Sequence, residues 1–177
     1  KIPPEKLLVV DWNIHAGSNH SYVCQDFGKS VYNNLLSAVT RIRKHKRFIL
    51  LYPHEWTFHP KETITNFERF CIDNRIDHKT EYNIQSVNIQ KGDLYFLVSD
   101  RSLTRLLDQA HDKNLRIGND VGIISYNDTP MKKYINEGIT ALSTNFFEMG
   151  KMAAHYVLNP GEIKHVVPTK LIERKSF

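Results

Sequence analysis

Asp11, Trp12, Ser99, Asp100, Asn127 and Asp128 have one thing in common: each closely follows a short run of apolar residues. The segment Pro53 to His59 stands in the same relation to Phe48-Ile49-Leu50-Leu51-Tyr52. Short continuous apolar runs suit strands buried on both faces. The polar residues that follow would then sit at strand tips, where an open α/β sheet binds its ligands. The set is mixed in charge and includes Trp12 and Trp56, the chain's two tryptophans. Rings beside acids and amides suit a small polyhydroxylated ligand: the rings cover its C–H faces and fixed polar groups hold its hydroxyls. A plainer role is open to each residue singly, because an Asp or Asn after a strand often caps the next helix.

The same residues allow an enzyme alternative. A haloacid-dehalogenase-type phosphotransferase needs an Asp nucleophile after a strand, an acid two residues on, a Ser or Thr after another strand, and paired acids for magnesium. Asp11, Ser99 and Asp128 occur in that order, but Asn13 occupies the acid/base position and Asn127 breaks the pair. A positioned proton donor is worth about 10²–10⁴ in rate, so such an enzyme would be slow. Other chemistries lack their motifs. No HExxH pair occurs among the nine histidines, and there is no GxSxG, GxxxxGK[ST] or GxGxxG segment. His54 and His59 flank Trp56 and read as surface histidines of a loop. Cys24 and Cys71 fall on apolar faces and read as buried thiols. The expectation is a protein that is not an enzyme and takes no metal or cofactor.

Elements of alternating type must position these tips. Strands are expected at Leu7–Val10, Ser21–Gln25, Phe48–Tyr52, His78–Tyr82, Leu94–Val98, Val121–Tyr126, Ile139–Leu142 and Val166–Ile172. Residues 12 to 20 carry turn formers and read as a loop. Asp26 is placed to cap a helix with Val31, Leu35, Ala38, Val39 and Ile42 on one stripe. Pro60 suits the first position of a second helix through Ile64, Phe67, Phe70 and Cys71. A third helix carries Leu103, Leu106, Leu107 and Ala110, a short one lies near Met131 to Ile135, and the last spans about 144 to 158. Strand–helix alternation of this kind implies α/β architecture, a parallel sheet with helices on both faces.

The chain has 177 residues, 24% of them charged, with a net charge of +5. That is the mix of a folded soluble domain needing no disulfide framework. The apolar runs are far too short for a membrane span, and a cytoplasmic location is the default. The basic run Arg41-Ile42-Arg43-Lys44-His45-Lys46-Arg47 falls at an expected helix end, where cations offset the helix dipole, and reads as a solvated face more than a nucleic-acid contact.

From Leu115 onward the residues carry a family pattern. Arg116-Ile117-Gly118-Asn119-Asp120-Val121-Gly122-Ile123-Ile124-Ser125-Tyr126-Asn127-Asp128-Thr129-Pro130 resembles a segment of the LacI/GalR repressors, "G…vP.disvvGfDd.p". Gly138 to Leu142 followed by Glu148 to Ala154 resembles their "lTtv…..mG..Aa..l", and Val167 to Ser176 their closing "vP..Lv.R.S". Ile2-Pro3 through Asp11 is similar to the family's last N-terminal-lobe strand, and Val23 to Phe27, Val31-Tyr32 and Phe48 to Pro53 resemble regulators with a GntR-type winged-helix head.

The resemblance implies a periplasmic-binding-protein-like fold of type I that closes on a small effector, most often a sugar or nucleobase. It implies a complete C-terminal lobe plus pieces of the N-terminal lobe, in a chain that starts with Lys1 and looks cut from something longer. The boundaries it suggests are 1–13 for the last N-lobe strand, 14–22 for a hinge crossover, 23–137 for the C-terminal lobe, 138–160 for the return, and 161–177 for the closing strand. Ligand contacts carry over to Asp11, Ser99, Asp100, Asn127 and Thr144, to which the tryptophans Trp12 and Trp56 add ring faces. Asn127 and Ser99 replace the family's usual Asp and Asn, and Thr63 stands where an effector-contacting Arg is usual. Expected partners are the effector, a second copy in a homodimer, and DNA only through a domain outside this chain. A dimerisation module that has lost its effector is the further alternative. Phe146, Met149 and Ala153 would face the N-terminal lobe, so partial exposure of that stripe and self-association are expected.

Overall fold

Phe48 to Leu51, Leu94 to Leu97 and Gly122 to Tyr126 are buried at every position in the computed structural model, because both faces of their sheet are covered. The structure describes residues 2–12, 19–53, 59–159 and 161–177. Its elements are β1 (Leu8–Asp11), β2 (Ser21–Gln25), α1 (Lys29–Ser37), α2 (Val39–Ile42), β3 (Arg47–Leu51), α3 (Glu62–Asp73), β4 (His78–Glu81), β5 (Asp93–Leu97) and α4 (Asp100–Asp112). There follow β6 (Gly122–Tyr126), β7 (Thr140–Thr144), α5 (Phe146–Leu158), β8 (Lys164–Val167) and β9 (Thr169–Ile172).

The strands form a three-stranded sheet, β1-β2-β8, and a six-stranded sheet, β4-β3-β5-β6-β7-β9. The pairings β1–β2, β2–β8, β3–β4, β3–β5, β5–β6 and β6–β7 are all parallel. Two compact units result: Lys1–Asp26 with Thr144–Thr169, and Phe27–Ser143 with Lys170–Phe177. The chain passes between them at 26–27, 143–144 and 169–170, whereas the expected crossover lay at 14–22. Ser21–Gln25 belongs to the smaller unit because it pairs with β1 and β8.

In the larger unit the period-2 alternation of the strands sorts two cores. Phe48, Leu50, Leu94, Phe96, Ile124 and Tyr126 pack with Val31, Leu35, Ile42, Phe67, Phe70 and Cys71 of α1, α2 and α3. Ile49, Leu51, Tyr95, Leu97 and Ile123 face the other way, onto Leu103, Leu106 and Ala110 of α4. Helices therefore cover both faces. Arg105, Gln109 and Lys113, spaced four apart, fasten the segment before β5 to α4. Arg105 donates to Ile84 O (3.0 Å), Gln109 to Val87 O (2.9 Å) and Lys113 to Ile89 O (2.9 Å). The Ile89 amide in turn donates to Gln109 Oε1 (3.0 Å). The C-terminal tail is equally tied: Ser176 Oγ accepts from Thr140 N and donates to Ile123 O, both at 2.7 Å.

Several expectations need correction. Asp26 does not cap α1: the helix starts at Lys29 after Gly28, with no side-chain cap, because an N-cap must directly precede the first helical residue. Pro60 stands before α3 and lends only its carbonyl, which accepts from Thr63 N at 3.2 Å. Val166–Ile172 is two strands in two sheets, divided at Pro168, which lacks the amide needed to continue a ladder. The short helix near Met131 is a pair of 3₁₀ turns, Pro130–Lys133 and Ile135–Glu137.

In the smaller unit α5 turns Met149 inward against Val23 and Val167. Of the stripe expected on this helix, Phe146 lies open (42% exposed), Ala153 is half-buried and Met149 is buried; Phe147, Val157 and Leu158 are exposed as well. The basic run is used by the chain itself. Arg41 pairs with Glu173 (2.7 Å), Arg43 donates to Asn74 O (3.2 Å) and Arg47 grips Asp93 (2.6 and 3.0 Å). Among the described residues no helix is long and apolar enough to cross a membrane.

Candidate functional site

In the larger unit, Ser99, Asp100, Asn127 and Asp128 follow β5 and β6 at the carboxyl ends of neighbouring parallel strands. Ser99 is the N-cap of α4: its hydroxyl accepts from Ser102 N at 3.2 Å. Asp100 is the first residue of that helix, where a negative charge meets the positive end of the helix dipole. Asn127 sits at φ 58°, a left-handed conformation that Asn tolerates better than most residues. Its amide extends the β6–β7 ladder by donating to Leu142 O at 2.9 Å.

The turn that follows brings back a residue the sequence reading missed. Lys132 is 1% exposed, and its ammonium donates to Asp100 Oδ1 (2.7 Å), Asn127 O (2.5 Å) and Tyr126 O (3.1 Å). One buried cation thus joins two of the expected site residues. Lys132 stands beside Lys133 in a polar stretch, and nothing in its sequence context separates it from a solvated lysine. Asp128 is committed elsewhere. Both its oxygens accept from Arg174, each at 2.7 Å, and Arg174 also donates to Ile139 O (2.7 Å).

Beside these tips stands a group of rings. His59 lies 4.3 Å from Tyr126, centroid to centroid, and 5.3 Å from Phe27, edge-on to both at 73° and 89°. Phe27 and Tyr126 stack at 6.1 Å and 17°. The Tyr52 hydroxyl donates to the carbonyl of His59. His59 Nε2 is 2.7 Å from Thr63 Oγ1, and Thr63 donates to Phe27 O at 3.0 Å. Burial pushes the His59 imidazole down from its ordinary value to about 4, so it is neutral near pH 7. Thr63 is fully buried, and its hydroxyl is spent on holding Phe27 and His59. Phe27 precedes a helix and His59 follows a proline-ended strand, so their meeting is a product of the fold and of no local spacing.

Asp11, Trp12 and Thr144 belong to the smaller unit. Asp11 ends β1 with φ 79°, exposed, and its carboxylate accepts from Gln25 Nε2. Thr144 is buried; its hydroxyl lies 2.9 Å from Gln25 Oε1 and 3.1 Å from Thr169 Oγ1. Thr144 therefore fixes which way the Gln25 amide faces, and Gln25 orients Asp11. Trp12 is 41% exposed. Trp56 and His54 lie outside the described residues. The expected set thus separates: the structure gathers Ser99, Asp100 and Asn127 at one sheet edge and places Asp11, Trp12 and Thr144 in the other unit.

The phosphotransferase alternative requires Asp11, Ser99 and Asp128 on the tips of one sheet. Asp11 belongs to the three-stranded sheet, while Ser99 and Asp128 follow strands of the six-stranded one. Asp128 is also held in a two-pronged ion pair. Among the described residues no group of three His, Cys, Asp or Glu side chains is arranged to hold a metal ion.

Residues 41–177 match the family described as periplasmic binding protein-like domain. No curated protein matches the chain. A solved structure of an uncharacterized protein from Actinobacillus succinogenes superposes with a TM-score of 0.76 at 14% identity, covering 96% of this chain and 69% of that one. A putative LacI-family transcription regulation repressor from Corynebacterium glutamicum gives 0.75 at 17% identity, covering 96% and 71%. The trehalose repressor from Escherichia coli gives 0.75 at 13%, covering 96% and 69%. At such identities the likeness is one of fold.

Proposed function

The chain belongs to the periplasmic binding protein-like domain family, and we propose on that basis that it is the effector-binding domain of a LacI-type transcription regulator sensing a small uncharged metabolite, a sugar first of all. The observation that carries this reading is the state of the charges at the carboxyl edge of the larger unit. Asp100 is answered by Lys132, Asp128 by Arg174, and His59 is neutral. An edge with its charges already balanced favours an uncharged ligand over an acid or an amine, because burying an unmatched charge against it costs several kcal/mol. Phe27 and His59, packed on Tyr126 at the end of β6, offer half-buried ring faces, and Asp100 and Asn127, following β5 and β6, are exposed hydrogen-bonding groups of the same sheet edge. That combination suits a polyol ring.

On this proposal the ligand favours one conformation and shifts its population. DNA contact and homodimerisation are properties of the regulator this domain would serve. The fold resemblance to a putative LacI-family repressor and to a trehalose repressor supports that assignment. Thermal unfolding against trehalose, lactose, glucose and adenosine tests it. A binder at about 100 times its Kd stabilises the native chain by about 2.7 kcal/mol, a clear rise in Tm. The rise should vanish in the double variant Asp100→Ala, Asn127→Ala. Its survival there would place the ligand elsewhere, and no rise with any probe would favour a dimerisation module without an effector.

A further inference from the structure

We infer that His59 is a specificity-determining residue: an imidazole locked with its proton on Nε2, whose Nδ1 lone pair accepts a hydrogen bond from a hydroxyl or N–H of the bound ligand. The inference rests on the effector reading above and adds what the ligand must bring. The locking follows from proton counting. The Thr63 hydroxyl has one proton, and Phe27 O, a carbonyl that can only accept, receives it at 3.0 Å. Thr63 Oγ1 therefore meets His59 Nε2, 2.7 Å away, as an acceptor, so Nε2 carries the hydrogen. A neutral ring then has its lone pair on Nδ1.

Three further features keep the ring in that state and place. Edge-on packing against Tyr126 and Phe27 fixes its plane. The hydrogen bond from Tyr52 to the His59 carbonyl anchors its backbone. Burial disfavours the imidazolium, as does the absence of any carboxylate paired with the ring among the described residues. Nδ1 has no hydrogen-bond partner among the described residues, and the residue is only half-buried. A buried acceptor left unmatched on binding costs affinity, so the site selects ligands that present a donor toward this ring and rejects their deoxy analogues.

The test uses the full chain labelled with ¹⁵N. Ring nitrogen spectra, with His59 assigned through His59→Gln, should show the Nε2–H tautomer at pH 7. Trehalose, lactose, glucose and adenosine are then titrated in turn, and any of them that raises Tm should move the Nδ1 resonance. His59→Phe keeps a ring and should weaken that probe about tenfold, the loss of one hydrogen bond. Thr63→Val removes the acceptor and should release the tautomer into a mixture. An Nδ1–H tautomer or an imidazolium at pH 7 overturns the inference. So does a probe that raises Tm while Nδ1 stays still, a result that leaves the effector reading standing. No rise in Tm with any probe removes the effector reading and this inference with it.

Discussion

Lys132 Nζ lies 2.7 Å from Asp100 Oδ1, with the lysine side chain 2% exposed and the carboxylate 65% exposed. The pair joins the tips of β5 and β6, since the same ammonium also holds the carbonyls of Tyr126 and Asn127. The cation is thus a fixed strut beneath an open carboxylate. Removing the ammonium leaves two carbonyls without their donor, and the penalty for unmatched buried acceptors is about 1–3 kcal/mol. Lys132→Met should lower unfolding stability by that amount in a urea titration without altering the m-value. A variant as stable as the parent would show that water replaces the ammonium at no cost.

His59 couples stability to acid. Its folded-state pKa, pushed down by burial to about 4, lies below the ordinary 6.5. Above pH 6.5 both states are neutral and there is no effect. Between 6.5 and 4 the unfolded chain binds a proton that the native chain refuses, so stability falls as pH falls, by up to about 3 kcal/mol. Below 4 the effect is complete. His45, also held low by burial, adds to the same trend. Urea midpoints at pH 7 and 4.5 should therefore differ less in His59→Gln than in the parent, and equal differences would mean that the ring titrates normally.

Gly118 holds φ +85°, and a Cβ there would meet Lys175 O at 2.0 Å. Backbone cannot yield as a side-chain tip would, so Gly118→Ala must displace the tail that Ser176 fastens to Ile123 and Thr140. The left-handed backbone alone costs an alanine about 1–2 kcal/mol. The expected result is a lower Tm together with faster carboxypeptidase trimming of the tail. Unchanged trimming would mean the tail accommodates the methyl group in place.

Gln109 both donates to Val87 O and accepts from Ile89 N. Gln109→Leu keeps the size of the side chain and removes both bonds. Amide exchange at Ile89 should accelerate by roughly tenfold or more, matching about 1–3 kcal/mol of local opening, while amides of β5 keep their protection. If β5 also loses protection, the segment is part of the global folding unit.

The α/β order was legible because fully buried parallel strands appear as unbroken apolar runs, and helices as stripes at i, i+3, i+4. Ser21–Gln25 and the runs around Leu50, Phe96 and Ile124 became strands within a residue or two of expectation. The single strand expected over Val166–Ile172 overlooked the missing amide of Pro168, and no local pattern shows that the two halves enter different sheets. Ser99, Asp100 and Asn127 could be placed at one sheet edge from the sequence because strand ends mark such an edge whatever the fold. What local pattern could not supply was partnership at a distance. Lys132 beneath Asp100, Arg174 across from Asp128, Thr63 between His59 and Phe27, and Gln25 between Asp11 and Thr144 are separated by 32, 46, 36 or 119 positions in their longest link. Sequence by itself determined which segments bury both faces, since solvation of each side chain is a local property. Only the tertiary structure decided which polar groups are spent on one another and which stay exposed, because hydrogen bonds and ion pairs depend on where distant segments meet.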